Sequence, residues 1–147
     1  PDMAPMIFAK AILKKEPITI FNNGKMSRDF TFIDDVIEGV IRCCFKKAEV
    51  DKNFDRLNPL PCSSFAPYRI FNIGNSNPIK LMDFIETLEN SLNLKAIKNF
   101  NILQPGDVID TEANTSRLQD YIGFKPQISL KEGVHRFVEW YKNYYEI

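Results

Sequence analysis

ITIFNNGKMSRDFTFIDD, residues 18–35, decides how the rest of the chain is read. Ile18–Phe21 is a short run of β-branched and aromatic residues, and the polar Asn22-Asn23-Gly24 that follows is turn chemistry. A second β run, Arg28–Ile33, puts Phe30 and Phe32 on one face and Asp29, Thr31 and Ile33 on the other. Asp34 and Asp35 then open a helix, where acidic side chains suit the positive end of the dipole. One arginine between two strands, with Phe21 on the strand before it, suits a ligand carrying a flat ring and a phosphate. The same pattern describes a surface β-hairpin whose Arg28 pairs with Asp29 or with solvent, and spacing alone favours the hairpin.

Helical periodicity surrounds this stretch. Ile33, Ile37, Val40, Ile41 and Cys44 predict an amphipathic helix from Asp34 to about Lys47. Upstream, Asp2 and Pro5 predict a helix start, and Lys14-Lys15 before Pro17 its end. Residues 49–67 have no periodicity and read as a long surface loop. Tyr68–Ile73 has strand composition and ends at Gly74-Asn75. Leu81, Phe84, Ile85, Leu88 and Leu92 mark a helix over 80–93, and Ala96–Leu103 reads as a strand before Pro105-Gly106. Asn114-Thr115-Ser116 caps a short helix that stops before Gly123. Ser129 and Glu132 form a capping box for the last helix, whose stripe is Leu130, Val134, Phe137, Val138 and Tyr141. Helices and short strands alternate, which favours an α/β or α+β fold.

A chain of 147 residues is one domain or a piece of a larger one. Nineteen basic and nineteen acidic residues cancel, so no general attraction to nucleic acid or to an anionic membrane is expected. No apolar run approaches the ~20 residues of a membrane span. Cys43, Cys44 and Cys62 are an odd set without metal spacing, and we expect reduced, mostly buried thiols in a cytoplasmic protein. No metal site is expected, and the single histidine, His135, is expected beside the buried stripe of the last helix as a partly exposed residue and not a catalyst.

The six glycines are too dispersed for a dinucleotide or P-loop fingerprint. Tyr121 and Lys125 have a Tyr-x-x-x-Lys spacing, but Gly123 between them and Pro126 after them predict a turn, not a catalytic helix. No catalytic set is expected within this chain.

PDMAPMIFAKAIL, PITIFNNGKMSRDFTFIDDVIEGV, APYRIFNIGNSNPIKLMDFIETLE, LQPGDVIDTEANTSRL with GFKP, and SLKEGVHRFVEWYKNYY follow one another along the chain. In that order they resemble extended short-chain dehydrogenases/reductases acting on nucleotide sugars, especially the NAD-dependent UDP-glucuronate 4-epimerase group. The resemblance implies an α/β fold: the C-terminal, substrate-binding half of an extended Rossmann-type enzyme, spanning residues 1–147, with short strands, about five helices and a sheet incomplete without an N-terminal half. It implies NAD bound mainly by that other half, and catalytic residues upstream of Pro1. The implied partner is a UDP-sugar, inverted at C4 through a 4-keto intermediate. Arg28 matches the family's diphosphate arginine and Phe21 its base contact, with Thr19 and Ile20 flanking. Pro1, Asp2 and Met3 match the pocket edge. Gln104 and Asp107 match an Arg-x-x-Asp segment in which glutamine here replaces the arginine, leaving Asp107 for the ribose hydroxyls. Apolar faces of the Asp34–Lys47 helix and the Tyr68–Ile73 strand would pack on the missing half, or be covered in a homo-oligomer. The alternative readings are a nucleotide-sugar 4,6-dehydratase or other extended short-chain dehydrogenase, and a non-catalytic fragment or interaction module.

Overall fold

A computed structural model describes residues 3–147. Five helices and four short strands divide between two units, residues 3–30, 77–112 and 128–147 in one and residues 31–76 and 113–127 in the other.

The first unit holds the core. Strand β1 (Pro17–Ile20) alternates strictly, with Ile18 and Ile20 buried at 1% and 0% exposure and Pro17 and Thr19 outward. It pairs in parallel with a later strand, Ile97–Phe100, from Pro17 opposite Ile97 to Ile20 opposite Phe100. Helix α1 (Ala4–Leu13) packs on β1 and on α3 (Leu81–Leu92), and α3 packs on α5 (Leu130–Tyr145), so that Phe8, Ile12, Phe84, Ile85, Leu88, Val134, Val138 and Tyr141 share one core with the two isoleucines. Each such side chain contributes roughly 1.5–3 kcal/mol by leaving water. Strand β2 (Ser27–Arg28) pairs antiparallel with β3 (Ile79–Lys80), which leads straight into α3. Ile97–Phe100 is therefore β4.

The Arg28–Ile33 run is not a strand. Only Ser27 and Arg28 find a partner, Phe30 turns to stack on Phe84 at 4.5 Å and 14°, and a helix begins at Ile33. The hairpin reading fails with it, because β1 takes its partner from residues 97–100. Between β1 and β2, Asn22, Asn23 and Gly24 all have positive φ, at 50°, 50° and 77°. A Cβ on Gly24 would lie 2.7 Å from Met82 Sδ. Gly24→Ala is expected to destabilise the fold by about 1–2 kcal/mol, since the left-handed backbone costs about that much for a side chain and the flexible thioether gives way. A urea midpoint unchanged from wild type would contradict this.

Met3 is the N-cap of α1, with Pro5 inside the first turn, while Asp2, the expected cap, lies outside the described residues. At α5 the expected cap forms: the Glu132 amide donates to Ser129 Oγ at 3.2 Å. The Glu132 carboxylate does not return to the cap but pairs with Arg136 at 2.7 Å, so the box is half made. Ser129→Ala should lower stability by about 1 kcal/mol, read as a reduced urea midpoint at constant slope.

The second unit is built on α2 (Ile33–Cys44) and α4 (Ser116–Ile122). Gly39 lets Ile73 lie against α2, since a Cβ there would come within 2.6 Å of Ile73 Cδ1. The single Tyr121 Oη proton is shared between the carbonyls of Lys46 and Lys47, both at 3.0 Å, and the Lys46 ammonium lies 4.5 Å from the Tyr121 ring centre. The apolar stripe of α2 is exposed, with Ile33, Ile37, Val40 and Ile41 between 45% and 57% accessible.

Tyr68–Ile73 is not a strand either. It makes one bridge, Arg69 to Ser63, and Ile70 donates to the Cys62 carbonyl at 3.0 Å. Its composition suits a sheet, but no full strand lies beside it among the described residues. The thiols also differ from expectation: Cys44 is exposed, and Cys43 and Cys62 are half-buried. Burial and the adjacent Cys44 push the Cys43 thiol pKa up. Among the described residues, no helix is long and apolar enough to cross a membrane.

Candidate functional site

The site is built from β2 and the irregular segment after β4. Gln104-Pro105-Gly106-Asp107 closes a tight turn, with Pro second, Gly third at φ +84°, and the Asp107 amide donating to the Gln104 carbonyl at 3.1 Å. The turn presents Asp107 to Arg28. Arg28 Nη2 donates to Asp107 Oδ1 at 3.3 Å, and both side chains are about one-third exposed, at 29% and 32%. Arg28 Nη1 donates to the carbonyls of Ser27 at 2.8 Å and Ile109 at 2.9 Å. Asp107 Oδ1 also accepts from the Val108 amide at 3.0 Å. Guanidinium has five N–H donors. Three are engaged by these protein acceptors, which fix its plane and leave the remaining donors of a partly exposed cation for an anion.

Other predicted site residues lie apart from this pair. Phe21 is half-buried at the start of the Phe21–Gly24 turn, and Thr19 is exposed on β1. Among the described residues, no hydrogen bond or ring contact joins either to Arg28. Ile20 is fully buried in the core, so only its backbone can reach a ligand, and its carbonyl already accepts from the Asn101 amide at 2.8 Å. Met3 is 72% exposed, while its carbonyl starts the α1 hydrogen-bond ladder. Pro1 and Asp2 lie outside the described residues. Gln104 is exposed and meets Asp107 only through the turn.

Tyr121 and Lys125 do not share a helix. The α4 helix ends at Gly123 with φ +63°, and the Tyr121 hydroxyl is committed to the end of α2. His135 pairs with Glu139 on the open face of α5 at 3.5 Å.

The GDP-mannose 4,6-dehydratase family model matches residues 2–137. The chain belongs to the nucleotide-sugar epimerase and dehydratase family of extended short-chain dehydrogenases. Protein CapI of Staphylococcus aureus is 46% identical over 146 residues, which is 99% of this chain and 44% of that protein. UDP-glucuronate 4-epimerase 4 of Arabidopsis thaliana is 40% identical over 99% of this chain and 33% of its own length. The crystal structure of UDP-glucuronic acid 4-epimerase from Bacillus cereus with UDP-glucuronic acid and NAD matches at TM-score 0.78 and 31% identity, covering 99% of this chain and 41% of that one. A Bacillus anthracis dTDP-glucose 4,6-dehydratase shares the fold alone, at TM-score 0.77 and 14% identity. The chain thus spans less than half the length of these family members.

Proposed function

We propose that this chain is the C-terminal, nucleotide-sugar-binding region of an NAD-dependent UDP-glucuronate 4-epimerase, an enzyme inverting C4 of the sugar. The observation that carries the reading is the clamped Arg28, a partly exposed cation whose plane is fixed by Ser27, Asp107 and Ile109 and whose remaining donors suit diphosphate oxygens. Binding the nucleotide far from the reacting carbon lends orientation to the sugar. Relatives named as UDP-glucuronate 4-epimerases, and a solved one holding UDP-glucuronic acid and NAD, support the substrate class. In this reading Phe21 lies against the base, Thr19, the Ile20 backbone and Met3 border the pocket with Pro1 and Asp2, and Gln104 and Asp107 line the ribose side.

The six glycines are too dispersed for a dinucleotide fingerprint, and Gly24 is packed against Met82 and Gly39 against Ile73, which supports binding of NAD elsewhere. The cofactor would be held by residues outside these 147, together with the catalytic groups.

The test is to incubate the longer protein carrying this region with UDP-glucuronate and NAD and to separate the products. Formation of UDP-galacturonate is expected, and no interconversion of the two would contradict the proposal. The family model's dehydratase description favours one second reading, for which conversion of UDP-glucose to a 4-keto-6-deoxy product would be decisive.

A further inference from the structure

The clamp on Arg28 is itself held by a side-chain pair, Ser27 Oγ with Asp110, that adds to the bond the guanidinium makes to the Ser27 carbonyl. Two of its acceptors, Asp107 Oδ1 and the Ile109 carbonyl, belong to a segment with no helix or long strand of its own. That segment is tied back to Ser27 at three points. The Ser27 amide donates to the Ile109 carbonyl at 3.0 Å, and the Thr111 amide donates to the Ser27 carbonyl at 3.3 Å. The third tie joins side chains: Ser27 Oγ donates to Asp110 Oδ1 at 2.6 Å, across 83 residues of sequence. The length is that of a charge-assisted bond between hydroxyl and carboxylate. The backbone ties leave the Ile109 carbonyl doubly used, by the Ser27 amide and by Arg28, so a small slip of the segment would loosen both.

We infer that Ser27 and Asp110 are positioning residues: a serine–carboxylate latch that locks segment 107–111 onto β2 and so aims the Arg28 guanidinium at an anionic ligand. The inference rests on the nucleotide reading of the site. It is distinguishable from a simple charge effect by sign. Removing a carboxylate beside an anion site by itself tightens anion binding, because like charge is removed. Loss of a latch weakens it.

The experiment is titration of the longer protein with UDP, followed by measurement of KM and kcat for UDP-glucuronate. Asp110→Ala and Ser27→Ala are each expected to weaken UDP binding about threefold to tenfold, the span of one hydrogen bond. KM should rise while kcat changes little. Asp110→Asn, which keeps the acceptor oxygen, should recover most of the loss. The double variant Ser27→Ala/Asp110→Ala should bind no more weakly than either single one, because the two groups act as a unit. Unchanged or tighter UDP binding in Asp110→Ala, additive losses in the double variant, or no recovery in Asp110→Asn would overturn the latch. The Arg28→Ala control separates the failures: weakened binding there beside unaffected Asp110→Ala overturns the latch alone, whereas an unaffected Arg28→Ala overturns the nucleotide reading and the latch with it.

Discussion

Glu89→Leu is expected to cost about 2–3 kcal/mol of folding stability at neutral pH, through loss of a buried acceptor. Glu89 sits on α3 at 4% exposure. Its carboxylate accepts from the Ala96 amide at 2.9 Å, from the Lys95 ammonium at 3.1 Å and, in a short contact, from the Lys98 ammonium. These bonds tie the end of α3 to the start of β4 and therefore fix the strand that completes the β1 pairing. Lys95 is exposed and Lys98 partly so, and both can return to water when the carboxylate is removed. The half-buried Ala96 amide is left facing leucine, and leaving a donor unpaired costs up to about 1–3 kcal/mol. Leucine's added apolar burial offsets part of the total, which keeps it below the ~3–5 kcal/mol of a fully buried pair broken on one side.

This site also sets a pH dependence. Burial pushes the Glu89 carboxyl upward, but hydrogen bonds from Lys98, the Ala96 amide and Lys95, with the charge of Lys98, outweigh it and hold the pKa below the ordinary range. A carboxyl lowered in the folded state adds stability above its unfolded pKa of about 4.3, and the contribution is lost as pH falls through the lower folded value. The difference between wild type and Glu89→Gln in urea unfolding should therefore be largest at pH 7 and shrink toward pH 3. A gap that stays constant over that range would contradict the assignment.

Arg28→Ala carries the second large effect. It should weaken UDP-sugar binding by about 1.5–3 kcal/mol, the range for hydrogen bonds to charged groups, which is roughly tenfold to 150-fold in Kd. Arg28→Lys should recover little. An ammonium on a flexible stem does not reproduce a planar fork that bonds Ser27, Ile109 and Asp107 at once while facing an anion. Calorimetric titration reads both variants, and an affinity for UDP-glucuronate unchanged in Arg28→Ala would contradict the role given to this side chain. Core stability should change little, because β2 is two residues long and the Arg28 side chain is partly exposed.

Local chemistry was legible where one element decides its own fate. The stripes of α3 and α5, the Ser129 cap and the Gly123 stop all follow from periodicity and capping, and the structure has each. Strand pairing was not legible in the same way. Ile18–Phe21 reads as a strand, but nothing near it says that its neighbour is Ile97–Phe100 and not the run beginning at Arg28. In RDFTFI the alternation of Phe30 and Phe32 mimics a strand, while stacking of Phe30 on Phe84 and the early start of α2 pull the backbone elsewhere. YRIFNI has strand composition, yet composition cannot supply a neighbouring backbone.

The candidate site shows the same division. Arg28 was suggested by its place between two β runs and, with Asp107, by resemblance to nucleotide-sugar enzymes, and the two are joined by an ion pair in the fold. Ser27, Ile109 and Asp110 gave no signal, because their roles depend on the path of an irregular segment: a carbonyl has no sequence signature, and a serine–aspartate contact 83 residues apart has no spacing rule. Ile20 illustrates the reverse. Its place next to Phe21 suggested a pocket wall, while β1 alternation turns its side chain into the core.

A change in the protein paired with a change in the ligand isolates the grip of Arg28 on the diphosphate. Wild type and Arg28→Ala, each within the longer protein, are titrated with UDP and with uridine. If the Arg28 guanidinium grips the diphosphate, wild type prefers UDP strongly, Arg28→Ala loses about tenfold or more of that preference, and uridine affinity is nearly the same in both. Equal loss of UDP and uridine binding, or an undiminished preference for UDP in Arg28→Ala, would contradict it.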